Sequence, residues 1–141
     1  MPQTKSIYPE SILFVCVGNS CRSPIAEAFA LKRWPRCKIK SAGTKVFEHL
    51  PRATNDAISV MKSRGIDISC HKTTRITDIN TEEFQYVVAM GKKIRRQLID
   101  EHSISELKIK NLFVKDPFDD DIAGYEKCAT KIEIKITELS F

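Results

Sequence analysis

Short apolar runs alternate along this chain with stretches in which apolar residues recur every three or four positions. The runs are rich in strand-forming residues, and the first is apolar enough for a strand that is buried on both faces. Strands that alternate with helices indicate a parallel sheet. We therefore predict an α/β fold, a single domain over residues 11–141 with a four-stranded parallel sheet flanked by helices on both faces. A short extension, residues 1–10, precedes it. The predicted strands are residues 11–17, 38–41, 86–90 and 108–115.

The predicted helices begin and end at residues that favour such positions. Ser23 is a good N-cap, Pro24 suits the first helical position, and Pro35 stops the same helix. Gly65 is placed as the C-cap of the second helix. The tail is ambiguous, because residues 122–139 fit a helical stripe while residues 132–136 within it alternate as in a strand. The three other helices are placed at residues 23–34, at residues 52–64 and from after residue 90 to about residue 100.

Composition narrows the classes of protein that the chain can be. Its 141 residues are 42% hydrophobic and 29% charged, which is ordinary for one globular domain. No run is long and apolar enough to span a membrane, and the first ten residues lack the apolar region of a signal peptide. Five cysteines, an odd number without scaffold-like spacing, fit a reducing compartment. We expect a cytoplasmic protein that does not bind membranes.

The net charge of +5 can attract acidic substrates. The densest basic cluster, residues 92–96, lies on a predicted helix whose buried stripe includes Ile94 and Leu98, so we expect these charges to face water. Few aromatic residues accompany the cluster and no nucleic-acid-binding motif is present. We therefore expect no nucleic-acid partner.

The most informative local feature is a cysteine followed, after five residues, by an arginine. Cys16 ends the first predicted strand, and Arg22 lies where the first helix begins. Backbone N–H groups and the positive end of a helix point into a loop of this kind, which makes it an anion site. A thiol in such a place is more readily ionised than an ordinary cysteine, and arginine can hold two phosphoryl oxygens at once. The loop contains the groups needed to attack a phosphate monoester, at the end of the strand where α/β sheets bind ligands.

The stretch Phe14 to Glu27 (FVCVGNSCRSPIAE) resembles the signature of the low-molecular-weight protein tyrosine phosphatases. The resemblance recurs along nearly the whole chain. It implies a Rossmann-like fold of the phosphotyrosine protein phosphatase I type that ends in a helix, which leaves Ile134 partly exposed. It also implies an enzyme that hydrolyses phosphotyrosine in protein substrates through a cysteinyl-phosphate, without a cofactor or a metal ion.

The resemblance assigns roles to individual residues. Cys16 is the expected nucleophile, Arg22 the clamp on the phosphoryl group, and Asp116, in an Asp-Pro-Phe sequence, the general acid. Residues 119–121 are also aspartates and compete for the acid role; we interpret them as solvated loop charges or N-caps of the last helix. The expected phosphate-binding loop contains Val17, Gly18, Asn19, Ser20, Cys21 and Ser23, with Ser41 and His71 as its supports. Besides capping the helix, Ser23 could donate to the Cys16 thiolate.

Cys21 has a further expected role. In the family, a second cysteine at this loop position forms a reversible disulfide with the nucleophile and protects it from peroxide, and the five-residue separation makes this geometry plausible. We interpret Cys37, Cys70 and Cys128 as structural. No spacing of cysteine and histidine residues suggests a zinc site.

Departures from the family pattern leave the substrate open. Ser20 stands where tyrosine-specific members carry a bulky aliphatic residue; threonine there marks phosphoarginine phosphatases, and serine is usual in arsenate reductases. The pocket aromatics are expected to be Phe47, with His49 as a weaker candidate, and Phe118. The alternatives are therefore a protein-arginine phosphatase, an arsenate reductase, or a non-catalytic module that binds phosphoanions or senses redox state. For the reductase, residues 86–96 lack the usual relay cysteines, and Cys70 and Cys128 would have to substitute for them.

Overall fold

The structure, a computed structural model, describes residues 8–118 and 120–141 and contains one parallel sheet with the strand order β2-β1-β3-β4. The predicted α/β class with a four-stranded parallel sheet is confirmed. Most of the predicted N-terminal extension, residues 1–7, lies outside the described residues. The strands are β1 (Ser11–Cys16), β2 (Lys38–Gly43), β3 (Tyr86–Ala89) and β4 (Ile109–Asn111). The α-helices are α1 (Arg22–Arg33), α2 (Asn55–Lys62), α3 (Lys92–Asp100) and α4 (Ile122–Glu138), and short 3-10 helices occupy Ile76–Asp78, Thr81–Glu83 and Glu106–Lys108.

Strand β1 is the central element of the domain. All six of its residues are buried, and it pairs with β2 on one side and β3 on the other. The chain leaves β1 towards β2 but leaves β3 towards β4, in the opposite direction across the sheet. Because such crossovers are right-handed, this reversal places α1 and α3 on opposite faces and opens a crevice at the carboxyl ends of β1 and β3. Cys16, the last residue of β1, lies at that crevice.

The helices close the core through their apolar faces. Helix α1 packs against α4, and residues such as Phe29, Tyr125 and Ile132 are buried there. The final segment is helical, with Ile134 51% exposed, as predicted. Gly65 adopts a φ of +79°, and the N–H of Ile66 returns to the carbonyl of Met61, so this glycine ends the α2 region as expected. Within the described residues, no helix is long and apolar enough to cross a membrane.

Several predicted boundaries were wrong. Helix α1 begins at Arg22 with Cys21 at the N-cap position, so Ser23 lies inside the helix and its hydroxyl serves another purpose, described below. Helix α2 is shorter than predicted, because the side chain of Thr54 accepts the N–H of Ala57 and fixes the start at Asn55. Strand β4 ends at Asn111 rather than at residue 115.

Strand β2 extends to Gly43 and so includes two of the three residues of the predicted turn at residues 42–44. Gly43 is its last residue and pairs with Cys16. A Cβ atom at Gly43 would lie 2.5 Å from the carbonyl oxygen of Val17. Gly43 therefore allows two backbone segments to approach closely and does not form a turn. This approach brings β2 against the loop that follows Cys16.

Candidate active site

The loop of residues 16–23, called the phosphate loop below, connects β1 to the first turn of α1. Cys16 is 2% exposed, and its Sγ atom lies 2.9 Å from the Oγ atom of Ser23. Ser23 reaches the sulfur because it lies one residue into α1, where its hydroxyl points back along the loop. The prediction of an N-cap role for Ser23 was wrong, whereas the contact of its hydroxyl with the expected nucleophile, the other role considered for Ser23, is present.

Asn19 organises the loop from within. Its Nδ2 atom donates to Ser23 Oγ at 2.8 Å and to Ser41 Oγ at 2.9 Å, and its Oδ1 atom accepts the Thr74 N–H at 2.9 Å. Ser41 in turn donates its single proton to a carboxylate oxygen of Glu27. Ser23 therefore accepts from Asn19, and its own proton is left to point at the sulfur of Cys16. We call these hydrogen-bonded residues the Asn19 network.

The backbone of Asn19 is also held. Its φ is 55°, in the left-handed region that asparagine tolerates better than most residues. The Nε2 atom of His71 lies 2.7 Å from the Asn19 carbonyl oxygen, which can only accept, so Nε2 carries the proton and donates. The predicted supports of the loop, Ser41 and His71, thus both contact Asn19. Neither contacts Cys16 directly.

Arg22 is fixed at one end of its guanidinium group. Its Nη1 atom donates to the Val114 carbonyl at 3.0 Å, and Nη2 lies 3.5 Å from Asp116 Oδ2. The Arg22 side chain is 8% exposed, whereas that of Asp116 is 48% exposed. A buried cation therefore lies beside the loop, partly neutralised by a carboxylate that remains accessible to water.

Asp116 follows β4 on a short loop of residues 112–118, called the acid loop below. Its Oδ1 atom accepts the N–H of Phe118 at 3.0 Å, a local turn that orients the carboxylate. Of the competing aspartates, Asp121 caps α4 by accepting the Gly124 N–H, and Asp120 is exposed elsewhere. Asp119 lies outside the described residues. Among the described aspartates of this region, Asp116 alone reaches the cavity beside Cys16.

A cavity of about 370 Å³ opens over the phosphate loop, and we call it the main cavity. Aromatic side chains stand at its mouth: Phe47 is 36% and Phe118 56% exposed, and the rings of Phe47 and His49 lie 5.7 Å apart. Ser20, the small polar loop residue noted in the sequence, forms part of the cavity wall. The lining residues are Cys16, Val17, Gly18, Ser20, Cys21, Arg22, Phe47, His49, Leu50, Asp116 and Phe118.

The five cysteines are all reduced in the structure. Cys128, interpreted from the sequence as structural or, for an arsenate reductase, as a substitute relay cysteine, lies against the loop and accepts a hydrogen bond from the thiol of Cys21. This bond and burial raise the pKa of Cys21, while the same bond, with help from the nearby charge of Arg22, lowers the pKa of Cys128. No disulfide joins Cys16 and Cys21 in the structure, so the bond that the resemblance suggests stays a prediction.

Sequence reasoning missed four contributors to the site. Glu27 lies in the signature but was given no role, and Leu50 lines the main cavity without a motif to mark it. The Val114 carbonyl holds Arg22 across the sheet, and Cys128 reaches Cys21 from α4, more than a hundred residues along the chain. Only Glu27 carried a usable signal: it lies one helical turn beyond Ser23, on the same face of α1.

Residues 8–118 and 120–141 contain no group of three or more histidine, cysteine, aspartate or glutamate side chains placed to hold a metal ion. The ionisable groups that line the main cavity include the Cys16 thiol, the Arg22 guanidinium and the Asp116 carboxylate.

Comparison with known proteins agrees with this geometry. The family model described as "Low molecular weight phosphotyrosine protein phosphatase" matches residues 11–140. A "Probable low molecular weight protein-tyrosine-phosphatase" of Ralstonia solanacearum is 29% identical over 88% of this chain and 89% of its own length. A "Protein-arginine-phosphatase" of Geobacillus stearothermophilus is 30% identical over 94% of this chain and 95% of its own length. The solved structure of a low molecular weight protein tyrosine phosphatase from T. tengcongensis is 30% identical, with a TM-score of 0.84 over 92% of this chain and 96% of that one.

Proposed function

The chain belongs to the low molecular weight phosphotyrosine protein phosphatase family, and we propose that it hydrolyses phosphotyrosine in phosphorylated proteins. One observation carries the proposal: a single cavity is lined by the Cys16 thiol, the Arg22 guanidinium and the Asp116 carboxylate. Hydrolysis of a phosphate monoester needs a nucleophile, a cation for the phosphoryl oxygens and an acid for the leaving oxygen. These three side chains supply one each.

In the first step, the Cys16 thiolate attacks phosphorus and the bond from phosphorus to the phenolic oxygen breaks. Asp116 gives its proton to that oxygen, and the product is a cysteinyl-phosphate with a free tyrosine. Arg22 holds phosphoryl oxygens as charge develops on them, and its Nη1 bond to Val114 fixes the direction of the guanidinium plane. The Ser23 hydroxyl, 2.9 Å from the sulfur, stabilises the thiolate before attack and again when it leaves.

In the second step, water attacks phosphorus and the sulfur–phosphorus bond breaks. Asp116, now deprotonated, takes the proton of that water, and inorganic phosphate and the Cys16 thiolate are released. The half-exposed position of Asp116 suits both tasks, because a carboxylate in contact with solvent can meet the leaving group first and the water afterwards.

The mouth of the main cavity supports an aryl substrate. Phe47 and Phe118 present exposed aromatic faces beside the loop, and Leu50 adds an apolar wall. A flat ring that enters between them buries its apolar surface against the protein and removes it from water. Offset aromatic contacts add about 0.5–1.5 kcal/mol each. The phosphate of such a substrate would then lie at the bottom of the cavity, against Cys16.

A second candidate substrate is phosphoarginine, and Ser20 is the observation that favours it. Ser20 lines the main cavity with a small hydroxyl where a bulky aliphatic side chain would narrow the slot. A flat guanidinium could also stack between Phe47 and Phe118. The relative of Geobacillus stearothermophilus, matched over nearly its whole length, is named as a protein-arginine-phosphatase.

The test is a substrate panel with purified protein. Para-nitrophenyl phosphate, a phosphotyrosine peptide and a phosphoarginine peptide are compared by kcat/KM, with vanadate as an inhibitor and Cys16→Ser as the inactive control. We expect a higher kcat/KM for the phosphotyrosine peptide, and Ser20→Ile should widen that preference. A higher value for the phosphoarginine peptide would select the second candidate, and arsenite formation from arsenate would select the reductase. Turnover that persists in Cys16→Ser would contradict all three.

The cytoplasm is the proposed place of action, because a catalytic thiolate has to remain reduced. Fractionation of cells that produce the protein, followed by immunoblotting, tests this location. Recovery mainly outside the cytoplasmic fraction would contradict it.

A further inference from the structure

We propose that Cys128 is the last member of a three-cysteine relay that returns Cys16 to its active thiolate after oxidation by a hydroperoxide. The proposal rests on the proposed role of Cys16 as nucleophile and goes beyond it, because Cys128 takes no part in phosphate transfer. It assigns a redox function to a residue of α4 that lies outside the main cavity.

The first observation is the position of Cys21 between two other sulfurs. Cys21 is 7% exposed and lines the main cavity together with Cys16, five residues earlier in the same loop. On its other side it is hydrogen-bonded to Cys128, which is 6% exposed and lies on α4, the helix that packs against α1. Cys21 can therefore exchange one sulfur partner for the other without a large movement of the chain.

The second observation concerns access. Cys128 also lines a separate surface cavity, whose charged residues are Lys115, Lys127, Lys131, Asp120 and Asp121, and this cavity shares no residue with the main cavity. A small thiol can approach the Cys128 sulfur there without entering the place where phosphate binds. A disulfide between Cys21 and Cys128 would thus be reducible while the phosphate loop stays occupied.

The relay has three balanced steps. A hydroperoxide oxidises the Cys16 thiolate to a sulfenic acid, and the peroxide is reduced to water or an alcohol. The Cys21 thiol condenses with the sulfenic acid, releasing water and forming the Cys16–Cys21 disulfide. The Cys128 thiolate then attacks the Cys21 sulfur, a Cys21–Cys128 bond forms, the Cys16–Cys21 bond breaks, and Cys16 leaves as a thiolate.

The last step has a preferred direction. The attacked disulfide contains one sulfur, that of Cys16, which is stabilised on leaving by the Ser23 hydroxyl at 2.9 Å and by the N-terminal end of α1. The attacking sulfur of Cys128 already lies against Cys21, its hydrogen-bond partner in the reduced protein. Exchange therefore transfers the disulfide bond to the Cys21–Cys128 pair and leaves Cys16 as a free thiolate.

The decisive experiment maps disulfides after one molar equivalent of hydrogen peroxide. The protein is treated, catalase is added, and free thiols are alkylated before digestion with trypsin. Residues 6–22 form one tryptic peptide and residues 128–131 another. A Cys16–Cys21 bond makes the first peptide two hydrogens lighter, whereas the relay product joins the two peptides and carries the alkyl group on Cys16.

We expect the joined peptide from the natural sequence and from Cys37→Ser, a control at a cysteine that is also 6% exposed but whose thiol donates to the carbonyl of its neighbour Lys38. Cys128→Ser should stop at the Cys16–Cys21 bond. Absence of the joined peptide, or an alkyl group on Cys21 instead of Cys16, overturns the relay. The mapping does not depend on phosphatase activity, so a failure of the proposed function would be seen separately.

Activity gives the second readout. After catalase and without added thiol, the natural protein should keep most of its aryl phosphatase activity, and Cys128→Ser should lose most of it until dithiothreitol is added. A second equivalent of peroxide should then inactivate the natural protein as well, because Cys21 is already used in the Cys21–Cys128 bond. Cys128→Ala provides a variant in case serine disturbs folding, and thermal melting checks both. Equal recovery in the natural protein and a folded Cys128 variant contradicts the proposal.

Discussion

The phosphate loop and the acid loop face the same cavity but are held in different ways. In the phosphate loop, Cys16, Asn19, Arg22 and Ser23 are buried, and each has at least one buried side-chain or carbonyl partner. In the acid loop, Asp116 is half-exposed, and its partners are its own local turn and one cation at 3.5 Å. The two loops meet at Arg22, whose guanidinium contacts a carbonyl and a carboxylate of the acid loop.

This difference matches the two tasks. Groups that stabilise charge on the phosphoryl oxygens act best when they are already in position, because no reorganisation is then needed during the reaction. A general acid and base has to change its protonation state twice and meet two different partners, which favours contact with water. We infer that the phosphate loop supplies the fixed electrostatics and the acid loop the proton transfer.

The largest effect should come from removing the sulfur. Cys16→Ser keeps a small polar side chain beside Ser23, so we expect a folded protein with unchanged thermal melting and no measurable turnover of para-nitrophenyl phosphate. A serine hydroxyl at this position is far less ionised than a thiol and cannot replace it as nucleophile. Recovery of phosphate bound to Cys16 in the unaltered protein, after rapid acid quenching, is the complementary measurement; its repeated absence would rule out the intermediate.

Arg22→Lys tests the residue that both loops share. Lysine keeps the charge but cannot hold a phosphoryl group with two parallel hydrogen bonds while it contacts the Val114 carbonyl. We expect kcat to fall on the order of 10²–10³-fold, as for removal of one fixed donor to a developing oxyanion. Thermal melting should change little. A loss confined to KM would mean that Arg22 stabilises the bound substrate and the transition state equally and does not speed the chemical step.

Asp116→Asn tests the acid loop alone. Asparagine can accept the Phe118 N–H but cannot deliver a proton, so we expect kcat to fall roughly 10²-fold or more for a phenyl phosphate with a poor leaving group. The loss should be much smaller for para-nitrophenyl phosphate, whose leaving group needs little protonation. Equal losses for the two substrates would show that Asp116 has no role in proton donation. Asp121→Asn, at the cap of α4, is the matched control.

The sequence was sufficient for the architecture and for the phosphate loop, for physical reasons. Both depend on short-range patterns: an apolar strand, a helix start, and seven residues in which spacing alone brings Cys16 and Arg22 together. Boundaries failed where long-range contacts decided them. Gly43 looked like a turn, but its approach to the Val17 carbonyl keeps it in the sheet, and Ser23 looked like a cap, but the sulfur of Cys16 holds its hydroxyl.

Contacts between distant segments were beyond prediction from one sequence. The Val114 carbonyl has no side-chain signal, and the contact of Cys128 with Cys21 depends on how α4 rotates against α1. Residues around Asp116 were recognisable by the Asp-Pro-Phe sequence, but three further aspartates follow it. The choice between Asp116 and its described neighbours, Asp120 and Asp121, required the cavity.

Ser41→Ala should have the smallest effect, because it removes only the outer part of the Asn19 network. Asn19 keeps its bond to Ser23 and loses one buried hydrogen bond, so we expect the free energy of unfolding to fall by about 1 kcal/mol. In a domain of this size, that corresponds to a decrease of roughly 3–4 °C in Tm. The kcat should fall only a few-fold. Ser105→Ala, which removes an exposed cap, is the control for loss of a serine hydroxyl.

The double variant Ser41→Ala/Asp116→Asn then tests the comparison itself. The two side chains have no hydrogen-bond partner in common: Ser41 contacts Asn19 and Glu27, whereas Asp116 contacts Arg22 and its own turn. Independent sites add within about 0.3–0.5 kcal/mol, so the losses in kcat should multiply. Arg22→Lys/Asp116→Asn should lose less than the product of its single losses, because both side chains meet at one ion pair. If the Ser41 pair couples as strongly as the Arg22 pair, the two loops form one unit and the division between fixed electrostatics and proton transfer fails.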